Sequence, residues 1–314
     1  MTTLLRRRSV FAAKVEETVG TAESLTGAEG VYNARDFMIQ PTIAMTRREG
    51  QGGFNYLPSM PEGMMGTCTI VHDLSYDGTN IPNWAAVLLP ACGWVDTAGV
   101  FKPVTSGPGS NGVKTVTIGH YKDGKFSVLS GAMGTFTITF PTGKTAYITF
   151  TFTGKYSTNE TDVALIAPTY PTALPLRFAA GALTFNSVSL CTATATVDAG
   201  NAVQMRECVN ASDRSGYVSA IVTDRAPIIT ADPESVLVAT QDRDALWLTS
   251  DPKALSLTIN GPTNSTVVVA APKAQLENKQ QGNRNNMMTD DLTWLASQGA
   301  AVDTELTITF NAAS

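Results

Sequence analysis

Few side chains in this sequence are of the types that carry out chemistry. Histidine occurs only at His72 and His120, which nearly excludes a histidine-based metal cluster, and each sits in an apolar, β-branched run that reads as strand. Gly143-Lys144-Thr145 ends like a phosphate loop, but that pattern needs glycine where Ile138 stands, and the chain runs on into a strand. Gly109-Ser110-Asn111-Gly112 lacks the spacing and the strand-to-helix context of a nucleophile elbow. The pairs Asp242/Asp244 and Asp290/Asp291 have no glycine-braced cage of oxygens around them, so they read as turn and edge charges. Cys68, Cys92, Cys191 and Cys208 form no CxxC pair and read as small buried hydrophobes. No enzyme activity, metal or cofactor is expected.

What remains is β-structure. Lys122-Asp123-Gly124-Lys125 lies between β-branched and aromatic runs, and Asp-Gly supplies the positive φ values of a two-residue hairpin turn. A second hairpin is expected around Pro141-Thr142-Gly143-Lys144. On one side Phe136, Ile138 and Phe140 alternate with Thr135, Thr137 and Thr139; on the other Ile148, Phe150 and Phe152 alternate with Thr149 and Thr151. Such a sheet has one apolar face for a core and one threonine face for solvent or a polar neighbour.

The chain has 314 residues, room for two β domains, and a charged fraction of 16% that suits wide protein contacts. Its net charge of −5 argues against tight sequence-independent binding to nucleic acid, which needs many cations opposite phosphates. The opening residues carry too much charge for a signal peptide and no stretch is long enough to span a bilayer, so synthesis in a cytosol is expected. The sequons at Asn159, Asn210 and Asn264 are then without consequence.

In chain order, residues 1–30 read as an N-terminal arm. Arg6-Arg7-Arg8 is either a patch that docks on an acidic neighbouring subunit or a solvated basic terminus. Strand character covers Val31 to Met45 and returns at Met64 to Leu74. Between them Thr46 to Gly63 is a Gly- and Pro-rich loop carrying Arg47, Arg48, Phe54, Tyr56 and Leu57, a composition expected of a contact loop. Pro82 to Leu89 reads as a short helix with Asn80 as its cap and Gly93 beyond its end. Residues 157–181 are proline-rich and read as a linker between a first domain, 31–156, and a second, 182–314.

The second half repeats the order of the first: a strand ending in Asp73 or Asp224, a loop, Pro82 or Pro233, a helix, and Trp94 or Trp247. Asp232-Pro233-Glu234 has the chemistry of a helix start. Lys144 falls over Arg284, and Leu306 to Phe310 closes the copy with an alternating strand. Trp84, Trp94, Trp247 and Trp294 are expected in cores. The loop Ala199 to Ser215, with Arg206 and Arg214, matches the loop Thr46 to Gly63.

Four pieces together resemble the major tail tube proteins of long-tailed, siphovirus-type bacteriophages: RRRSVFAAKVEETVGTAESLTGAEG, KTVTIGHYKDGKFSVLSGAMGTFTITFPTGKTAYITFTFTGKY, ADPESVL and APKAQLENKQQGNRNNMMTDDLTW. The resemblance implies an all-β fold with short helices, two tandem β-sandwich or barrel-like tail tube domains, and a trimer that forms a pseudo-hexameric ring. It implies stacking of rings into a virion tail tube, contacts with tape measure, tail terminator and distal tail proteins, and passage of viral DNA through the lumen without specific binding. Contacts between subunits or between rings are expected from Arg6, Arg7, Arg8, Arg47, Arg48, Phe54, Tyr56, Leu57, Arg206 and Arg214. The rival readings are another virion β-sandwich protein, such as a terminator, baseplate or capsid decoration subunit, and a carbohydrate-binding adhesin module.

Overall fold

The computed structural model describes residues 3–179, 181–211, 213–261 and 265–312. The remaining positions, which include the sequon residue Asn264, lie outside the described residues.

The first half contains β1 (Ser9–Val15), β2 (Ala34–Glu49), β3 (Tyr56–Asp73), α1 (Asn83–Leu88), β4 (Trp94–Thr97), β5 (Val100–Pro103), β6 (Val116–Lys122), β7 (Lys125–Pro141), β8 (Tyr147–Lys155) and β9 (Thr161–Asp162). The second contains β10 (Ala182–Phe185), β11 (Val188–Ser189), β12 (Thr192–Asp198), β13 (Asn201–Glu207), β14 (Tyr217–Arg225), β15 (Ile228–Pro233), α2 (Arg243–Leu248), β16 (Lys253–Asn260), β17 (Ser265–Arg284), β18 (Met287–Ala296) and β19 (Thr307–Ala312). The fold is all-β with short helices and no closed barrel. Seventeen strands join one hydrogen-bonded network, while β13 and β14 form a separate two-stranded ribbon.

The two hairpins that the sequence pattern defines form as expected. Asp123 and Gly124 have φ of 40° and 104°, and β6 meets β7 in the register Lys122 to Lys125. Phe136 faces Phe150 and Ile138 faces Ile148 across β7 and β8, and these four, with Phe140 and Phe152, are fully buried. Their side chains join one core that runs from Phe11 to Phe310 and so belongs to both halves. Burying a Phe or Ile side chain stabilises by about 1.5–3 kcal/mol.

The strand order occurs twice. In the first half it is β1, β6, β7, β8, β3, β2, every neighbour antiparallel. In the second it is β10, β16, β17, β18, β15, β12, again antiparallel throughout. A helix follows the fifth strand in each: α1 comes after β3 and α2 after β15. The halves are stitched together where β12 lies along β7 and where β19 runs between β17 and β5. Leu306, Ile308 and Phe310 bury their side chains there, as the alternation predicts.

Several local expectations are corrected. Residues 9–15 are not part of an arm: Val10 to Ala13 are buried and β1 pairs with β6 along its whole length. Asp232-Pro233 ends a strand instead of starting a helix. Asp232 Oδ1 accepts hydrogen bonds from Thr192 Oγ1 at 2.6 Å, Ala193 N at 3.0 Å and Thr194 N at 2.8 Å, so its affinity for amide donors closes a bulge in β12. The helix begins ten residues later, capped by Asp242, whose Oδ1 accepts from Ala245 N at 2.8 Å. The helices are therefore 243 − 83 = 160 residues apart, whereas Pro82 and Pro233 are 233 − 82 = 151 apart, and Trp247 lies within α2, 39% exposed, out of register with the buried Trp94. In α1 the N-cap is Pro82, not Asn80, whose N–H instead donates to Asp77. Gly93 does close that region, with φ of 75°.

The segment 157–181 docks as a strap. Leu176 is buried and its N–H donates to Leu74 O at 2.7 Å, while Leu165 and Ile166 pack beside Val10, Ala12 and Tyr121.

Candidate assembly surface

The largest departure from the sequence reading is also the most prominent surface feature. Thr46 to Gly63 is not a loop but the distal part of a hairpin in which β2 pairs with β3 from Ala34–His72 out to Glu49–Tyr56. At about 3.3 Å per residue, the 16 residues of β2 span roughly 50 Å. Ile39 is the one buried residue of β2, and β3 becomes buried only from Gly66 inward. Three register shifts along the pair twist it away from the sheet. The projecting part carries Ile43, Met45, Phe54, Tyr56, Leu57 and Met60, all exposed, with Phe54 wholly so. Arg47 and Arg48 are exposed on the same arm, and a hydrogen bond from Thr46 to Glu62 braces its middle. Exposed apolar surface of this extent marks a protein contact.

The second candidate segment is likewise a hairpin, β13 with β14, and its position is informative. It lies across the threonine face of β7 and β8. Asn201 Nδ2 donates to Gly134 O at 2.9 Å and to Cys92 O at 2.8 Å, and Asn201 N donates to Thr135 Oγ1 at 3.3 Å. Val203, Met205 and Val222 pack on Val113, Met133 and Ala220. Near the turn, the buried Lys155 Nζ bonds Asp213 at 2.8 Å, and Met64 N donates to Ser215 O at 3.1 Å. Burial alone would raise the Asp213 carboxyl, but the bonds from Lys155 and Ser215 outweigh it and hold the group below its usual range. Arg206 and Arg214 stay exposed on the outside of this ribbon. The base of the first hairpin touches it, since a Cβ on Gly63 would stand 2.6 Å from the Tyr217 hydroxyl.

The basic terminus lies elsewhere. Arg8 pairs with Asp123 at 2.9 Å, Leu5 N donates to the same carboxylate at 2.8 Å, and Arg6 reaches Asp36 at 3.5 Å. Arg7 is exposed. Because Asp36 is at the root of β2, about 40 Å of strand separates this cluster from Glu49. One chain therefore joins the two hairpins at their bases but not the arginine cluster to the hairpin tip. Beside that cluster Lys122 and Lys125 clasp Glu160 at 2.8 and 3.0 Å, and their hydrogen bonds pull the Glu160 carboxyl down to about 2. Burial, with Lys122 nearby, lowers His120 to about 4.

The residues that could have done chemistry have structural work. His72 and His120 are strand residues, and burial lowers His72 as well. Asp290, read as an edge charge, is buried against Arg243 at 2.5 Å. Cys68 and Cys92 are buried, but Cys191 is exposed and Cys208 half-buried, contrary to expectation. Among the described residues no cluster could hold a metal ion, and no helix is long and apolar enough to cross a membrane.

Sequence reasoning missed Met38, Ile43, Met45 and Met60 as surface residues. No alternation sets them apart, and Ile43 lies opposite Met64 and Met45 opposite Pro61.

The long β2–β3 hairpin, with its exposed apolar residues, is the kind of surface that a subunit of an assembly presents. The chain belongs to the phage tail tube protein family, whose model, described as "Phage tail tube protein", matches residues 6–312. It is thus a structural component of the virion tail, of a kind that self-assembles into a tube. No curated protein matches it.

Proposed function

We propose that this chain polymerises as stacked rings into the tail tube of a siphovirus-type phage, and that DNA passes through the lumen on ejection without specific binding. The observation that carries this reading is the strand order repeated on either side of the strap, with a helix at the same point in each copy. A chain with two equivalent units forms a six-fold arrangement from three copies, so the ring is a homotrimer and a pseudo-hexamer. The first unit is 31–156 together with β1, the second is 182–314, 157–181 runs between them, and the residues before β1 are the arm.

Synthesis takes place in the host cytoplasm. The tube meets tape measure, tail terminator and distal tail proteins at its core and ends. The chain has no catalytic role. The lumen wall is net acidic, in keeping with the charge of −5, so that DNA slides without adhering. Ring-to-ring contact joins the hairpin tip, with Arg47, Arg48, Phe54, Tyr56 and Leu57, to the Arg6-Arg7-Arg8 end of a subunit in the next ring, and the outer ribbon with Arg206 and Arg214 flanks it. The roughly 40 Å of strand between the two clusters supports a contact made between rings instead of within one subunit.

Deletion of Gly50 to Tyr56 removes the tip without touching buried residues. The expected product is a soluble, folded subunit that makes no tubes in the electron microscope. Normal tube growth by this variant would refute the role of the hairpin.

A further inference from the structure

Lys155 is a buried amine held rigidly against a carboxyl group. It ends β8, where it pairs with Met65 of β3 on one side and Ser130 of β7 on the other, and its side chain is only 3% exposed. Its Nζ lies 2.8 Å from Asp213 Oδ2, in the turn between β13 and β14. That turn is fixed as firmly as the lysine. Met64 N donates to Ser215 O at 3.1 Å, Cys208 N donates to Gly216 O at 3.1 Å, and Ser215 is fully buried. Because Met64 adjoins Met65, the same point of β3 anchors both groups.

The two oxygens of Asp213 are held differently. Oδ1 accepts from Ser215 N at 2.9 Å and from the Ser215 hydroxyl, which in turn accepts from Tyr217 N at 3.2 Å. Oδ2 takes its hydrogen bond from Lys155 Nζ. An amine at one oxygen and two fixed donors at the other is the geometry of acyl attack, in which the donors stabilise the charge that develops on their oxygen. Gly20 closes the site from the other side, since a Cβ there would stand 3.7 Å from Nζ. The ion pair is the resting form, because the bonds to Asp213 outweigh the burial that opposes its charge. One proton shift along the 2.8 Å bond gives the neutral amine and the neutral acid, and burial of the lysine favours that shift.

We propose that Lys155 and Asp213 condense into an intramolecular amide bond. The ammonium of Lys155 gives one proton to Oδ2, and the freed lone pair of Nζ attacks Cγ. Negative charge gathers on Oδ1, where the Ser215 N–H and hydroxyl receive it. A second proton passes from the nitrogen to the Oδ2 hydroxyl, which leaves with its bonding electrons as water while Oδ1 re-forms the carbonyl. The ammonium and carboxylate become one amide and one water, and nothing else is consumed. Holding both groups in place replaces the encounter that such a reaction lacks in free solution. The bond would close a loop between positions 58 residues apart and fasten the β13–β14 ribbon of the second half to β8 of the first. Closing that loop removes freedom from the unfolded chain in the way a disulfide does, and Cys68, Cys92, Cys191 and Cys208 are all free. The proposal holds or fails independently of how the subunits assemble.

The test is the mass of the full chain, incubated folded and then denatured for mass spectrometry. The chain should be one water lighter than its sequence, and proteolysis should release a branched peptide that joins the segments around Lys155 and Asp213. Lys155→Arg keeps the cation but lacks the amine, and Asp213→Ala lacks the carboxyl; both should show the full sequence mass and no branched peptide. A wild-type chain of full sequence mass overturns the proposal. So does a loss of water that persists in Lys155→Arg or maps elsewhere, as ring closure at Asp123-Gly124 would. The branched peptide is sought in the wild-type chain, so its absence is decisive even where a variant fails to fold.

Discussion

The carboxylate of Glu16 gives the sharpest test of how the subunit is held together. Glu16 is buried, and both of its oxygens are fully engaged. Oε1 accepts from Thr117 Oγ1 at 2.8 Å and from Gly131 N at 2.6 Å, and Oε2 accepts from Thr115 Oγ1 at 2.6 Å and from Gly20 N at 2.7 Å. Gly131 sits at φ of 58° in the irregular step where β7 leaves β6 for β8, so its amide has no ladder partner of its own. Replacing Glu16 with Gln keeps the shape but turns one acceptor into an NH2 group. The threonine hydroxyl on that side rotates to accept; the backbone N–H beside it, of Gly131 or Gly20, does not. One orphaned buried N–H costs about 1–3 kcal/mol, and loss of charge assistance on the other bonds brings the expected total to about 2–4 kcal/mol. Glu16→Ala, which orphans both amides, should cost about 2–6 kcal/mol by the same counting. Urea unfolding of the purified subunit measures both. If Glu16→Gln unfolds at the wild-type midpoint with an unchanged slope, the four-bond account of this site is wrong.

Two further outcomes follow from the ion pairs. Glu160 is held at about 2 by its bonds from Lys122 and Lys125, against an ordinary 4.5. Its folded-state value is depressed, so its contribution is present above pH 4.5 and is lost as pH falls through about 2. Hydrogen exchange at β9, which these contacts pin to β7, should therefore accelerate across that window and not between pH 5 and 8. Arg243 and Asp290 form a pair that is nearly sealed from water. Arg243→Leu should cost about 3–5 kcal/mol by leaving Asp290 buried without its cation, and adding Asp290→Leu should recover much of that. Single and double variants of equal stability in urea would contradict the pairing argument.

The β7–β8 core was legible because two signals coincided there: strict alternation of Phe and Ile with Thr, and turns whose residues accept positive φ. The distal hairpin was hidden for the opposite reason. Both faces of Thr46 to Gly63 meet solvent, so no burial pattern marks the strands, and Gly50, Gly52 and Gly53 at the tip made the whole stretch read as loop. Its exposed apolar character was still visible in Phe54, Tyr56 and Leu57. β1 escaped notice because its core residues include Ala12 and Ala13, which carry little strand signal. Asp232-Pro233 misled because a helix cap and a bulge draw on the same chemistry, an acidic side chain accepting from free amides. The joining of β12 to β7 has no local signature at all. It links positions more than fifty residues apart, and only the folded ladder places them together.

The central claim is that this chain closes into rings of two-unit subunits that stack into a hollow tube. Negative-stain electron microscopy of the purified protein, with mass photometry of the soluble fraction, tests it most directly. The account predicts hollow tubes of regular rings, with three chains as the smallest closed species. Persistent monomers that never polymerise would contradict the claim, and closed rings of six full chains would contradict the pseudo-hexamer.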